Sequence, residues 1–311
     1  MIVTQHPVFW TDKLRQQVTE RVGAAPEELV RYVALVNAAS GIECAPTAAS
    51  AAPDLLHDLE CAIRGMPPAV VGALQDVLLG VFFAHNLGSS AVTDVVVDEN
   101  GNTLGSVVAL DLDAFVSRRA NEWATWKENT PFSRAKSMKL EVQIAQLDDD
   151  TRSNAIQFLL LHEFGHVLTA GRRFLPIWWL PPDLMTSTGD YEFLRLGWQI
   201  SAEKQIVPRE EEDFAGREAV SYYGDAQLDD HAMLAIYQGL QRTSFASLYA
   251  STNAYDDFAE TFATYVHSVL MKRPFRVCIY RGAVVEHETD DFWSSPRSAP
   301  KRAFMAQLLS V

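Results

Sequence analysis

At 311 residues, 48% hydrophobic and 21% charged, the chain is long enough to bury a full core and form one large or two smaller domains. A formal charge of −14 excludes nucleic acid and anionic membrane as natural partners, since both would repel it. Cys44, Cys61 and Cys278 are few and widely spaced, as in a reducing compartment; none falls in a metal-binding pair, and a Cys44–Cys61 bridge stays open.

Positions 1–10 lack a basic stretch followed by an apolar core, so no signal peptide is read and a cytoplasmic location is expected. Helical spacing over 11–39 is followed by an Ala/Pro/Ser linker at 44–53 and a second helical stretch over 54–86. The most apolar window, 69–84, is interrupted by Gln75 and Asp76 and is too short to span a bilayer; it predicts a buried helix and no membrane span. The pattern then changes. Residues 92–97 and 104–110 flank Asn100-Gly101, which predicts a β-hairpin. A helix is expected over 112–127 and a half-buried strand over 139–145, whose edge would suit an extended peptide.

The next segment contains His162-Glu163-Phe164-Gly165-His166, an H-E-x-x-H sequence inside a strongly helical apolar run. Asp148 to Thr151 supply a cap and first-turn acids, and Gly171 offers a stop. Histidines four apart lie on one helical face, where both rings reach one metal ion, and Glu163 is placed to take a proton from water. Buried on a helix apolar on nearly all sides, these groups are costly unless paired or bound to metal. A catalytic zinc takes three protein ligands plus water, so a third must come from elsewhere.

The candidate lies in a second helix. Asn253 followed by Asp256 predicts an N-cap, with the helix running to Lys272-Arg273 before Pro274. Asp256 and Glu260 are four apart on one face and repel unless a cation or donors sit between them. Between the two helices, Trp178 and Trp179 are bracketed by prolines, as in a loop that walls a cleft or anchors to a core. Tyr222 and Tyr223 are further candidates for a phenol near a metal, and His267 shares the face of Glu260. A surface or core role is the other reading of His267; His231 is a further histidine of note, His6, His57, His85 and His287 have no partner at metal-ligand spacing, and the acidic run 210–213 reads as a solvated surface.

These two segments, each of roughly fifteen residues, resemble the gluzincin metallopeptidases, the broad group containing thermolysin, neprilysin and anthrax lethal factor. The resemblance implies Zn2+ held by His162, His166 and Asp256, with Glu163 as general base and Glu260 orienting a ligand histidine. Ala259 matches the small residue before the second acid in the neprilysin-like form. Tyr249 and Asn253 match the lethal-factor-like form, in which that tyrosine donates to the oxyanion. One departure matters: the usual ligand is glutamate, and Asp256 is a methylene shorter, so Glu260 stands as the alternative ligand.

The implied protein is a zinc metallopeptidase, a hydrolase acting on a peptide or protein substrate. The alternatives are a zinc hydrolase of a non-peptide amide and a non-catalytic zinc-binding or interaction protein. The implied fold is α+β and zincin-like, a small twisted antiparallel sheet backing the HExxH helix, with a mainly helical C-terminal lobe. A helical N-terminal region over 1–90 would precede a catalytic domain over 91–311.

Overall fold

The computed structural model describes residues 1–115, 118–133 and 137–309. The chain is a mixture of helices and several sheets, and it divides into two units. One comprises Met1–Arg118 and Ile156–Arg172, the other Arg119–Ala155 and Arg173–Val311.

The first unit is built on one mixed sheet. Its strands are β1 (Ile2–Val3), β2 (Val22–Ala24), β3 (Thr47–Ala48), β4 (Leu78–His85), β5 (Ala91–Val97) and β6 (Thr103–Asp111), in the order β1-β5-β6-β4-β2 with β3 also on β4. The expected hairpin is β5–β6, antiparallel from Ala91 opposite Leu110 to Val97 opposite Thr103. Its loop closes on Asp98, whose carboxylate accepts from Asn100 N and Asn102 N, and Gly101 takes a φ of 81° that suits only glycine there.

The window 69–84 is not one buried helix. It holds a short helix, Pro68–Leu74, and most of β4, which runs parallel to both β2 and β6. A strand covered on both faces reads as an unbroken apolar run, and Leu-Leu-Gly-Val-Phe-Phe-Ala satisfies that pattern as well as a buried helix does. The N-terminal region is therefore helices plus four strands. The sheet also crosses position 90, where a boundary was expected: β4 lies before it, β5 and β6 after it. The sheet is mixed where an antiparallel one was expected. Because β1 is two residues long and pairs only Val96 and Val97, the 91–95 part of β5 has its ladder partner on the β6 side alone.

The second unit holds an antiparallel sheet in the order β11-β10-β7, with β7 at Met138–Gln143, β10 at Arg276–Arg281 and β11 at Val284–Glu288. A separate ribbon pairs β8 (Trp198–Ile200) with β9 (Ile206–Pro208). The helix expected over 112–127 is a 3-10 turn, Leu112–Phe115, and a separate helix, Ala120–Asn129; Val116 and Ser117 lie outside the described residues. That helix closes the outer edge of β7. Asn121 Oδ1 accepts from Ile144 N at 2.7 Å, Thr125 Oγ1 accepts from Val142 N at 2.9 Å, and Asn129 Nδ2 donates to Leu140 O at 3.1 Å. Three polar side chains spaced four residues apart thus stand in for a neighbouring strand, and the edge expected to receive a peptide is already occupied.

The core helix of the second unit is Ala254–Thr264, extended by a π-helical turn over Tyr265–Leu270. It ends at Leu270, and Lys272, two residues before Pro274, turns the chain away with a left-handed φ of 59°. Cys44, Cys61 and Cys278 are free thiols. Among the described residues, no helix is long and apolar enough to cross a membrane.

Candidate metal centre

The HExxH helix spans Arg152–Thr169. Thr151 Oγ1 accepts from Asn154 N at 3.2 Å, the expected cap, and Gly171 ends the segment with a φ of 71°. Leu160, Leu161, Phe164, Val167 and Leu168 are fully buried, which fixes the rotation of the helix and with it the direction of the polar residues between them.

His162 and His166 bring their Nε2 atoms to 3.2 Å, with the rings 4.9 Å apart and nearly perpendicular. Two nitrogens each 2.0–2.1 Å from one tetrahedral ion stand about 3.3 Å apart, so the pair is already at the spacing that zinc takes. Glu163 is buried, and its Oε2 accepts from Thr93 Oγ1 at 2.6 Å. Thr93 lies in the 91–95 part of β5 and also reaches the Glu163 carbonyl oxygen, at 3.4 Å. Nothing in the sequence singles out Thr93, one β-branched residue in an alternating strand.

In the second unit, Asn253 caps the helix Ala254–Thr264 as expected, its Oδ1 accepting from Tyr255 N at 3.0 Å and Asp256 N at 2.9 Å. Its Nδ2 donates to Asp256 Oδ2 at 2.6 Å, so one residue both starts the helix and orients the first acid. Glu260 is held at both oxygens. Oε1 pairs with Lys127 Nζ at 2.6 Å and Oε2 accepts from Ser247 Oγ at 2.6 Å. The cation that the two-acid pattern calls for is thus supplied for Glu260 by Lys127, from a helix more than a hundred residues away in sequence.

Tyr249 lies in the 3-10 turn Tyr249–Ser251, with the Lys127 ammonium 4.5 Å from its ring centroid and the Tyr222 ring, tilted against it, at the same distance. Its Oη is 2.8 Å from Tyr223 Oη. Tyr222 donates to Glu128 Oε2 at 3.2 Å and Tyr237 to the same oxygen at 2.6 Å. Burial pushes the Glu128 carboxyl above its ordinary value, against the pull of Lys127 and Tyr237. Both phenols are pushed well above theirs, first by burial and then by the Glu128 charge. Lys127 and Glu128 sit in the last turn of the helix Ala120–Asn129, next to Asn129 and Thr130, and read as surface positions, so the sequence hides both.

No family model matches the chain, and no curated protein or solved structure is significantly similar to it.

The other expected side chains divide. Trp178 packs edge-on against Trp179 and lies 6.1 Å from the Tyr255 ring, which anchors this loop beside Asp256 in the second unit. His267 is buried, with its Nε2 2.8 Å from Ile144 O and 3.0 Å from Pro274 O, a structural role. His231 precedes the helix Ala232–Leu240 and approaches Ser137 Oγ at 3.4 Å. In the first unit, His85, Asp111 and Asp113 also offer ligand atoms within 4.8 Å of one another. There Asp111 spends one oxygen on Leu87 N and the other on Asp113 N, while His85 and Asp113 form a solvent-exposed pair.

Proposed function

We propose that this chain is a gluzincin-like zinc metallopeptidase, with His162, His166 and Asp256 as the donor set and Glu163 as general base. The observation that carries the reading is the pair of imidazoles, His162 buried and His166 partly exposed, whose Nε2 atoms converge to 3.2 Å beside a buried glutamate held by Thr93. Two imidazoles and a carboxylate suit a hydrolytic zinc, which supplies Lewis acidity and lowers the pKa of water to near neutrality. Asp256 is favoured over Glu260 as the third ligand because both Glu260 oxygens already accept from Lys127 and Ser247. Asn253 Nδ2 donates to Asp256 Oδ2 at 2.6 Å and so orients this carboxylate.

The chain's own residues divide the work. Thr93 fixes Glu163 Oε2, so the proton taken from water goes to Oε1 and is returned to the leaving amine. Tyr249 donates to the oxyanion, its ring held by Lys127 and Tyr222. An extended peptide would lie along β5 at 91–93, on the side that pairs with no strand and next to Thr93, since the outer edge of β7 is spent on Asn121, Thr125 and Asn129. Elemental analysis of purified protein is expected to find close to one zinc per chain, lost in His162→Ala and in His166→Ala. Absence of zinc from both native and zinc-reconstituted protein would overturn the proposal.

A further inference from the structure

We infer that the buried ion pair of Asp257 and Lys301 positions Asp256, by setting the rotation of the first turn of the helix Ala254–Thr264 and with it the place of the Asp256 carboxylate. The inference rests on the reading in which Asp256 is the third zinc ligand. Asp257 is fully buried, and so is Lys301, which comes from the helix Ala299–Leu308. The ammonium donates to both carboxylate oxygens, at 2.6 and 2.7 Å. Trp198 Nε1 donates to Oδ2 at 2.9 Å and Thr261 Oγ1 to Oδ1 at 3.2 Å. The carboxylate is thus tied to a second helix, to β8 and to the next turn of its own helix.

Adhesion between the two helices does not need the pair. Phe304 packs edge-on against both Phe258 and Phe193, and Met305 is fully buried. Burial pushes the Asp257 carboxyl above its ordinary value, against the pull of Lys301, Trp198 and Thr261, because it disfavours the charged form. Well-packed apolar side chains often hold such a contact as strongly as a buried ion pair does. What the pair adds is direction, since short charge-assisted bonds fix a geometry that an apolar contact lets slide. Asp256 and Asp257 are successive residues of one helical turn, so a rotation about the helix axis moves both through the same angle. A carboxylate stands about 5 Å from that axis, and a turn of about 10° carries it about 1 Å, whereas a metal–ligand distance tolerates about 0.2 Å. Asn253, which also holds Asp256, belongs to the same turn and rotates with it.

The test uses the full-length protein and chelator competition for zinc. Asp257→Leu/Lys301→Met replaces the pair with apolar side chains and is expected to weaken zinc binding about tenfold, the lower end of what losing a ligand's support does. The zinc-free variant is expected to unfold in urea at or above the wild-type midpoint. With Co2+ in place of zinc, its visible bands should differ in position or intensity from those of the wild type, a mark of altered ligand geometry that a merely structural pair leaves unmoved. Wild-type affinity and spectrum in the double variant, or a loss of affinity only in step with lower zinc-free stability, overturns the inference. Should the double variant not fold, Trp198→Phe keeps the pair and removes one of its anchors; a zinc affinity weaker by about threefold supports the inference and an unchanged one overturns it. If the wild type binds no zinc, or Asp256→Asn binds it as tightly as the wild type, the reading beneath falls and the inference with it.

Discussion

At the scale of single residues, the proposed roles of Asp256 and Glu260 can be told apart by experiment, because the two carboxylates have different partners. Glu260 is fully buried with an ammonium on one oxygen and a hydroxyl on the other, an arrangement that holds a charge in place for a neighbour. Asp256→Asn is therefore expected to remove most zinc affinity, whereas Glu260→Gln should weaken it about ten- to a hundredfold. Competition with a chromophoric chelator measures both, and equal losses would reverse the assignment. Thr93 gives a sharper case. Its hydrogen bond to the Glu163 carboxylate is the charged kind, worth roughly 1.5–3 kcal/mol. Thr93→Val keeps the shape and removes the donor, so turnover of a cleaved peptide should fall about tenfold or more with zinc content unchanged. Full activity in that variant would remove Thr93 from the site.

At the scale of elements, the parts set by local signals were legible: the β5–β6 hairpin from Asn100-Gly101, the HExxH helix from its apolar run and Thr151 cap, and the later helix from Asn253. What the sequence did not reveal depends on partners distant in the chain. β4 reads as helix until β2 and β6 are known to flank it, and the outer edge of β7 reads as open until the Asn121, Thr125 and Asn129 side chains are placed on it. The π-helical turn is a third case. It carries His267, whose ring reaches the carbonyls of Ile144 and Pro274 and so ties the end of this helix to β7 and the following loop. Burial pulls His267 down to about 4, the two carbonyl bonds opposing it. A histidine lowered in the folded state stabilises above its unfolded value near 6.5, and that stability is lost as pH falls toward 4. The difference is worth about 3 kcal/mol. Urea unfolding at pH 7 and pH 4 should show that the wild type loses about that much more stability than His267→Gln. Equal losses would show that protonation of His267 is not linked to folding.

At the scale of the whole chain, the first unit is discontinuous, and this bears on where the HExxH helix belongs. Residues 156–172 cluster with 1–118, although the chain on either side of them belongs to the second unit. Leu160, Leu161, Phe164, Val167 and Leu168 of this segment are fully buried in the folded chain. At roughly 1.5–3 kcal/mol for each side chain, the five contribute on the order of 10 kcal/mol, as large as the net stability of a typical domain. Gln157 adds a buried hydrogen bond to Ala62 O at 2.6 Å, which fixes the helix against the C-terminal half of Pro53–Arg64. The segment that carries the candidate ligands is therefore also structural, and the six-stranded sheet should not hold without it. A fragment covering 1–118 is expected to show no cooperative transition in urea by circular dichroism. Joining 156–172 to it through a flexible linker should restore one. A sharp transition in the 1–118 fragment alone would mean that the helix is an addition to a finished unit, and that His162, Glu163 and His166 could be replaced together with their helix at little cost to the sheet.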